Sequence, residues 1–193
     1  MADHVCPWYL AYTFDNIGRK LVHPPDRVFG PHLFQGATVL DVGPGLGFSS
    51  ISMAGLIGPT GRVIAVDLQQ KMLDRLNKRA EKAGVAARIE TRRCGPASLG
   101  VDDLKGRVDF ANAFWMVHEV PDQPGLLAQI HQALAGPGRL LLVEPRFHVS
   151  EGDFVKTIDL AREAGFTPDH RPAVTFSRAV LLKKDEAAAR DAA

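Results

Sequence analysis

Hydrophobic and polar positions along this chain switch repeatedly between two periods. Short runs that are almost wholly apolar and rich in β-branched residues alternate with longer stretches whose apolar side chains return every three or four positions. The runs at 37–41 (Ala-Thr-Val-Leu-Asp) and 62–67 (Arg-Val-Ile-Ala-Val-Asp) read as strands buried on both faces, because a half-buried strand would alternate. Residues 48–56 follow a glycine-rich turn and read as a helix that stops near Gly58-Pro59. Residues 69–83 place Met72, Leu73, Leu76 and Ala80 at helical spacing, and Gly84 stands where a left-handed residue closes a helix. Residues 87–92 alternate and predict a third strand, and 107–113 a fourth. Asp122 is a candidate N-cap for a helix that reaches residue 135 and is closed by Gly136. Residues 138–144 form an apolar fifth strand, Ser150 and Asp153 are spaced as a capping box for a helix ending at Gly165, and 166–169 and 174–183 supply two more strands.

Strands alternating with helices require right-handed crossovers and give a parallel sheet. The pattern predicts an α/β fold, Rossmann-like and doubly wound, with a mostly parallel seven-stranded sheet whose last strand inserts antiparallel. Residues 1–36, with Trp8, Tyr9, Tyr12, Phe14 and several prolines, are expected to form a helical N-terminal cap, either over the carboxyl end of the sheet or packed elsewhere on it. Residues 37–184 form the main domain, and 185–193 an alanine-rich tail.

A chain of 193 residues suits one domain with a substantial core, and a net charge of +1 gives no strong pull toward nucleic acid or membrane. The cluster Arg88, Arg92 and Arg93 is either a solvated strand end or a contact for an acidic ligand. Cys6 and Cys94 cannot build a disulfide framework, no basic-plus-apolar leader opens the chain, and no apolar run reaches the length of a membrane span. These features predict a reduced, cytoplasmic protein, monomer or homodimer, with neither nucleic acid nor membrane as partner.

The turn at 39–50, Val-Leu-Asp-Val-Gly-Pro-Gly-Leu-Gly-Phe-Ser-Ser, carries the chemistry. A strand runs into Asp41, then Gly43, Pro44, Gly45 and Gly47, then a helix whose N-terminus offers free N–H groups. Asp41 is placed to accept a hydrogen bond from a ligand ammonium. A dinucleotide fingerprint, GxGxxG, would need glycine at position 48, which is Phe. Asp67, at the end of the second strand, is placed to accept both hydroxyls of a ribose, with Leu68 and Met72 as apolar walls for adenine.

The pattern Asp-x-Gly-x-Gly-x-Gly resembles motif I of class I S-adenosylmethionine-dependent methyltransferases, whose loop wraps the methionine part of the cofactor. The stretch 108–122, Val-Asp-Phe-Ala-Asn-Ala-Phe-Trp-Met-Val-His-Glu-Val-Pro-Asp, and the turn 134–144, Leu-Ala-Gly-Pro-Gly-Arg-Leu-Leu-Leu-Val-Glu, are similar to the ubiquinone and menaquinone biosynthesis methyltransferase group. The resemblance covers most of 37–183 and implies S-adenosylmethionine as cofactor, S-adenosylhomocysteine as product and a small-molecule methyl acceptor. It puts Asn112, Ala113 and Phe114 beside the methionine end. One departure stands out: the group has Gly-Asp-Ala after its third strand, and this chain has Cys94-Gly95-Pro96-Ala97. Adenine recognition would then rest on backbone groups and on Cys94, as a small filler or as a reactive thiol.

Methyl transfer from a sulfonium is an in-line displacement, so the protein mainly aligns the reactants and excludes water. Where the acceptor must lose a proton, His118 is the candidate base, with Glu119 to orient it or to act itself; alternatively His118 lines the cofactor pocket. His118-Glu-Val-Pro-Asp122 is not a zinc HExxH site, because Asp122 replaces the second histidine and Pro121 breaks the helix, and no metal ligand set is expected. Tyr9, Tyr12, Asn16 and Arg19 share a helix face by spacing and are candidates for binding the acceptor, or are packing residues. Cys6 raises a thiol or metalloid acceptor. Two competing functions are a non-catalytic S-adenosylmethionine-binding regulatory module and a nicotinamide-dependent oxidoreductase.

Overall fold

The computed structural model describes residues 18–185. Seven strands form one sheet in the order β3-β2-β1-β4-β5-β7-β6. They are β1 (Thr38–Val42), β2 (Arg62–Asp67), β3 (Ile89–Arg93), β4 (Val108–Phe114), β5 (Leu134–Pro145), β6 (Phe166–His170) and β7 (Ser177–Lys184). β1 to β5 pair in parallel, while β7 runs antiparallel to both β5 and β6. The strand order reverses between β1 and β4, so a crevice opens at their carboxyl ends, where sheets of this kind take ligands.

The helices α1 (Gly18–Val22), α2 (Pro25–Val28), α3 (Phe48–Leu56), α4 (Gln70–Lys82), α5 (Gln123–Ala133) and α6 (Glu151–Glu163) cover the sheet. Alternate strand residues feed two separate cores. Leu40, Val42, Ile64 and Val66 pack with Leu127 and Ile130 of α5 and Phe154 of α6. Val39, Val63, Ala65 and Phe110 pack on the opposite face with Met53 of α3 and Leu76 of α4. Burying one such Leu, Ile or Phe side chain contributes about 1.5–3 kcal/mol.

Helix ends follow the predicted chemistry where the residues are local. Asp122 caps α5 through the Gly125 N–H, and Ser150 caps α6 through the Asp153 N–H. Several boundaries depart from expectation, the larger shifts at α5, β5, β3 and β7. α5 stops at Ala133, and β5 begins at Leu134 with no closing Gly136 between them. Leu134 is buried and pairs with Val108, and the carbonyls at the helix end are satisfied from a distance: Lys184 Nζ donates to His131 O at 2.8 Å and to Leu134 O at 2.7 Å, and the Gly106 and Arg107 N–H groups donate to Gln132 O and Ala133 O. Gly138 is needed instead, because a Cβ there would lie 3.0 Å from the Val108 carbonyl. β3 starts at Ile89 because 86–88 form a 3-10 turn, and β7 starts at Ser177, beyond a turn at Phe176.

The described part of the N-terminal segment sits against the carboxyl end of β4. Phe29 is fully buried, with its ring 6.3 Å from those of Phe48 and Phe114. His23 meets Phe114 and Trp115 edge-on at 5.3 and 5.4 Å.

Candidate active site

The glycine turn joins β1 to α3, and its glycines lack a side chain for two different reasons. All three have positive φ, at 64°, 55° and 93° for Gly43, Gly45 and Gly47. A Cβ on Gly43 would strike Met116 at 2.9 Å, and one on Gly47 would strike Leu76 at 2.7 Å. A Cβ on Gly45 would meet nothing within 4 Å. Gly43 and Gly47 are therefore packing glycines, while Gly45 presents bare backbone to open space. The turn is clipped by Gly43 N–H on Val66 O (2.9 Å), Gly47 N–H on Pro44 O (2.9 Å) and Arg79 Nη1 on Leu46 O (2.7 Å).

Asp41 lies beneath this turn and is fully buried. Its Oδ2 accepts from Ser49 Oγ at 2.6 Å and Ser50 Oγ at 2.5 Å, and its Oδ1 accepts from Asn112 Nδ2 at 2.8 Å. Burial pushes its pKa up, against those three bonds and the Arg19 charge. The carboxylate thus already ties β1 to α3 and to β4. The buried group beside it that still wants a donor is Asn112 Oδ1, which has no partner.

Asp67 ends β2 with a mostly buried carboxyl whose Oδ1 accepts from Gln69 N–H at 2.8 Å. Burial raises its pKa to about 6; the Gln69 and Gly45 N–H groups oppose the shift, and the Glu119 and Asp41 charges add to it. The Gly45 contact joins the carboxylate to the turn. Leu68 is half-buried and Met72 buried at the start of α4. Cys94 is half-buried, with its N–H on Asp67 O at 3.0 Å. Burial, then the Asp67 charge, raises the Cys94 pKa, which favours the protonated thiol. Gly95 is exposed in the turn after β3. Ala113 and Phe114 close β4 as buried residues.

His118 lies in a 3-10 turn after β4, and its orienting partner is Glu144, at the end of β5. The Glu144 carboxylate is 1% exposed; it takes the His118 backbone N–H at 3.0 Å and the Nδ1–H at 2.6 Å. Burial of the ring opposes its charged form, but Glu144 and then Glu119 outweigh this and hold the imidazole above its ordinary value. The Glu119 charge raises the pKa of both His118 and Asp67, while Glu144 makes the orienting bond for which Glu119 was one candidate. The sequence signal for Glu144 is a lone charge ending an apolar strand. That for Ser49 and Ser50 is two hydroxyls at a helix start directly after the glycines.

Arg19 lies over the rings of Phe48, Phe114 and Trp115 at 4.6, 5.2 and 5.2 Å. Tyr9, Tyr12, Asn16 and Cys6 lie outside the described residues. The Arg88, Arg92 and Arg93 cluster is occupied by the protein itself: Arg92 pairs with Glu90 (2.7 Å) and Asp103 (2.6 Å), Arg88 reaches Ala54 O, and Arg93 reaches Leu68 O. Among the described residues, no group of three metal-ligating side chains occurs, and no helix is long and apolar enough to cross a membrane.

A methyltransferase-domain family model matches residues 39–138, and the chain belongs to that family, a class I methyltransferase domain with S-adenosylmethionine as cofactor. It is 28% identical over 109 residues to a demethylmenaquinone methyltransferase of Lactobacillus johnsonii, covering 56% of this chain and 44% of that one. It is 27% identical over 110 residues to the ubiquinone/menaquinone biosynthesis C-methyltransferase UbiE of Escherichia coli, covering 57% of this chain and 43% of that one. The match thus spans less than half the length of either relative. The crystal structure of a SAM-dependent methyltransferase from Aquifex aeolicus superimposes with a TM-score of 0.82 at 20% identity, covering 93% of this chain and 99% of that chain, which shows the shared fold.

Proposed function

We propose that this chain methylates a small molecule with a partly apolar body, using His118 as general base. The observation that supports the reading is the placement of three groups toward the carboxyl ends of the adjacent strands β1, β2 and β4: the open backbone of Gly45, the buried Asp67 carboxyl and the unpartnered Asn112 Oδ1. They fit S-adenosylmethionine. Asp67 is placed for the ribose hydroxyls, Gly45 for close approach of the chain bearing the sulfur, and Asn112 Oδ1 for the ammonium. Leu68, Met72, Cys94 and Gly95 border the adenine, and Ala113 and Phe114 the methionine end.

The bound cofactor supplies an electrophilic methyl on a positively charged sulfur. His118 Nδ1–H is held by Glu144, so Nε2 carries the lone pair and takes the proton that the acceptor loses. Glu144 stabilises the imidazolium that results. Arg19 and the rings of Phe114 and Trp115 wall the acceptor side, with Tyr9, Tyr12 and Asn16 proposed to complete the wall. The related names favour a quinone-type acceptor, a ring methylated at carbon, for which removal of a ring proton requires a base.

The test is formation of S-adenosylhomocysteine over a panel of phenolic and quinol acceptors, with wild type, Asp67→Ala and His118→Ala. Turnover by wild type that Asp67→Ala abolishes and His118→Ala cuts about 100-fold or more supports the reading. Cofactor binding without turnover on any acceptor would instead identify a binding module.

A further inference from the structure

The carboxyl edge of the sheet carries a second cleft beyond β4. It lies between the start of α6 and the chain entering β7, has a volume of about 460 Å3, and is lined in part by Arg146, Glu151, Arg171, Phe176 and Arg178. That volume suits a small organic molecule. Its charge is one-sided: among all its lining residues, three guanidiniums face one carboxylate. Glu151 is shared, accepting from Arg171 Nη1 at 2.6 Å and from Arg178 Nε at 3.0 Å. Arg146 Nε donates to the neutral Ser177 carbonyl at 2.8 Å, which offsets none of its charge. Two large apolar side chains are exposed here: Phe176 at 64%, which lines the cleft on a backbone with φ of 56°, and Phe147 at 57%, which follows Arg146 and lies outside the lining.

The cleft adjoins the acceptor side of the site, since residues of each touch the other. Trp115, the residue after β4, donates from Nε1 to Ser177 Oγ at 2.9 Å, and its ring meets Phe147 at 5.5 Å. His23, which packs on Phe114, has its Nε2 on Thr175 O at 2.8 Å. Trp115 and His23 thus bridge the acceptor side and the wall of the cleft, because Ser177 and Thr175 line it.

We propose that this cleft is an anion subsite for the methyl acceptor: the acceptor carries a carboxylate or a phosphate, gripped by Arg146, Arg171 and Arg178, and an apolar body lying along Phe147 and Phe176. The planar guanidinium fork matches both oxyanions, and a net excess of two positive charges favours either over a neutral group. The inference rests on the methyl-transfer reading for the word acceptor, and on the cleft alone for the anion.

The test is calorimetric titration of the full chain, with S-adenosylhomocysteine present, by three probes: phenyl phosphate, benzoate and phenol. Phenyl phosphate or benzoate is expected to bind at least tenfold more tightly than phenol, the stronger of the two naming the oxyanion. Arg171→Gln is expected to weaken that binding fivefold or more. Glu151→Gln removes the competing carboxylate and is expected to tighten it several-fold, a gain that loss of structure cannot mimic. Phenol binding as well as the anions, or anion affinity unmoved by Glu151→Gln, overturns the proposal. The affinity for S-adenosylhomocysteine, measured alone, is expected to be equal in all three proteins. If that ligand fails to bind while the anions respond as described, the anion site stands and the methyl-transfer reading falls.

Discussion

Asp67 combines a buried carboxyl, lifted to about 6, with a place at the end of β2 where a ribose would lie. Hydroxyl donors favour the ionised form, so ligand binding below pH 6 must expel a proton. At pH 5 about a tenth of the carboxyls are ionised in the free chain, and affinity for S-adenosylhomocysteine is expected to be roughly tenfold weaker than at pH 7.5. Asp67→Asn should flatten this dependence and cost about 10- to 100-fold at pH 7.5; a flat wild-type profile would remove Asp67 from the ribose. The stability sign is opposite. A carboxyl whose folded pKa is raised favours the folded chain at low pH, and that contribution is lost between about pH 4 and 6. The ligand-free Asp67→Asn protein is therefore expected to melt higher than wild type at pH 8. His118 has its pKa raised above its ordinary 6.5, so a base that must be neutral gains activity as pH rises past that value. The pH–kcat/KM curve should rise with a midpoint above 6.5, and Glu144→Gln should move the midpoint down, since burial is then left to act with only the Glu119 charge against it. A midpoint indifferent to Glu144→Gln would separate the pair from the chemistry.

At the scale of elements, the glycine turn makes a contrast that two substitutions expose. Gly45→Ala places a methyl in open space at φ of 55°, costing about 1–2 kcal/mol of backbone strain while blocking the approach of a ligand. Gly47→Ala adds a 2.7 Å clash with Leu76, fully buried in α4. Urea unfolding should show Gly47→Ala to be the more destabilised by about 1–3 kcal/mol, and calorimetry should show Gly45→Ala losing at least tenfold in cofactor affinity at smaller stability cost. Equal effects in both assays would deny Gly45 its exposed role. α3 was legible from sequence to the residue because Gly47 starts it and Gly58-Pro59 stop it, and β2 because Gly61 precedes an unbroken apolar run that ends at Asp67. The α5–β5 junction was not, because its helix is closed from a distance by Lys184 of β7, and Gly136 offered a local stop that pairing with β4 overrode. Partners such as Asn112 for Asp41 and Glu144 for His118 were equally out of reach, since adjacency of β1, β4 and β5 exists only once the sheet has formed.

At the scale of the whole molecule, a doubly wound sheet with a crevice at its strand ends serves several nucleotide cofactors, and the fold alone does not choose among them. Here the choice is made by the core. Phe48 fills the position where a dinucleotide fingerprint needs its last glycine, and its ring is buried against Phe29 and beneath Arg19. A glycine there would remove the piece that joins the N-terminal segment to α3, so the substitution that suits a dinucleotide would loosen the wall of the acceptor side. Ligand choice and the anchoring of the N-terminal segment are thus one packing decision, and both can be read from one melting experiment. S-adenosylhomocysteine at about 100 times its dissociation constant adds about 2.7 kcal/mol to the folded chain, which for a domain of this size raises Tm by about 5–10 °C. NADH at the same concentration is expected to leave Tm unchanged. Phe48→Gly should lower Tm without ligand and gain no response to NADH, because the widened turn has lost its packing without acquiring a pyrophosphate site. A rise with NADH in wild type would show that the crevice also admits a dinucleotide, and a rise in Phe48→Gly alone would show that Phe48 is what excludes it.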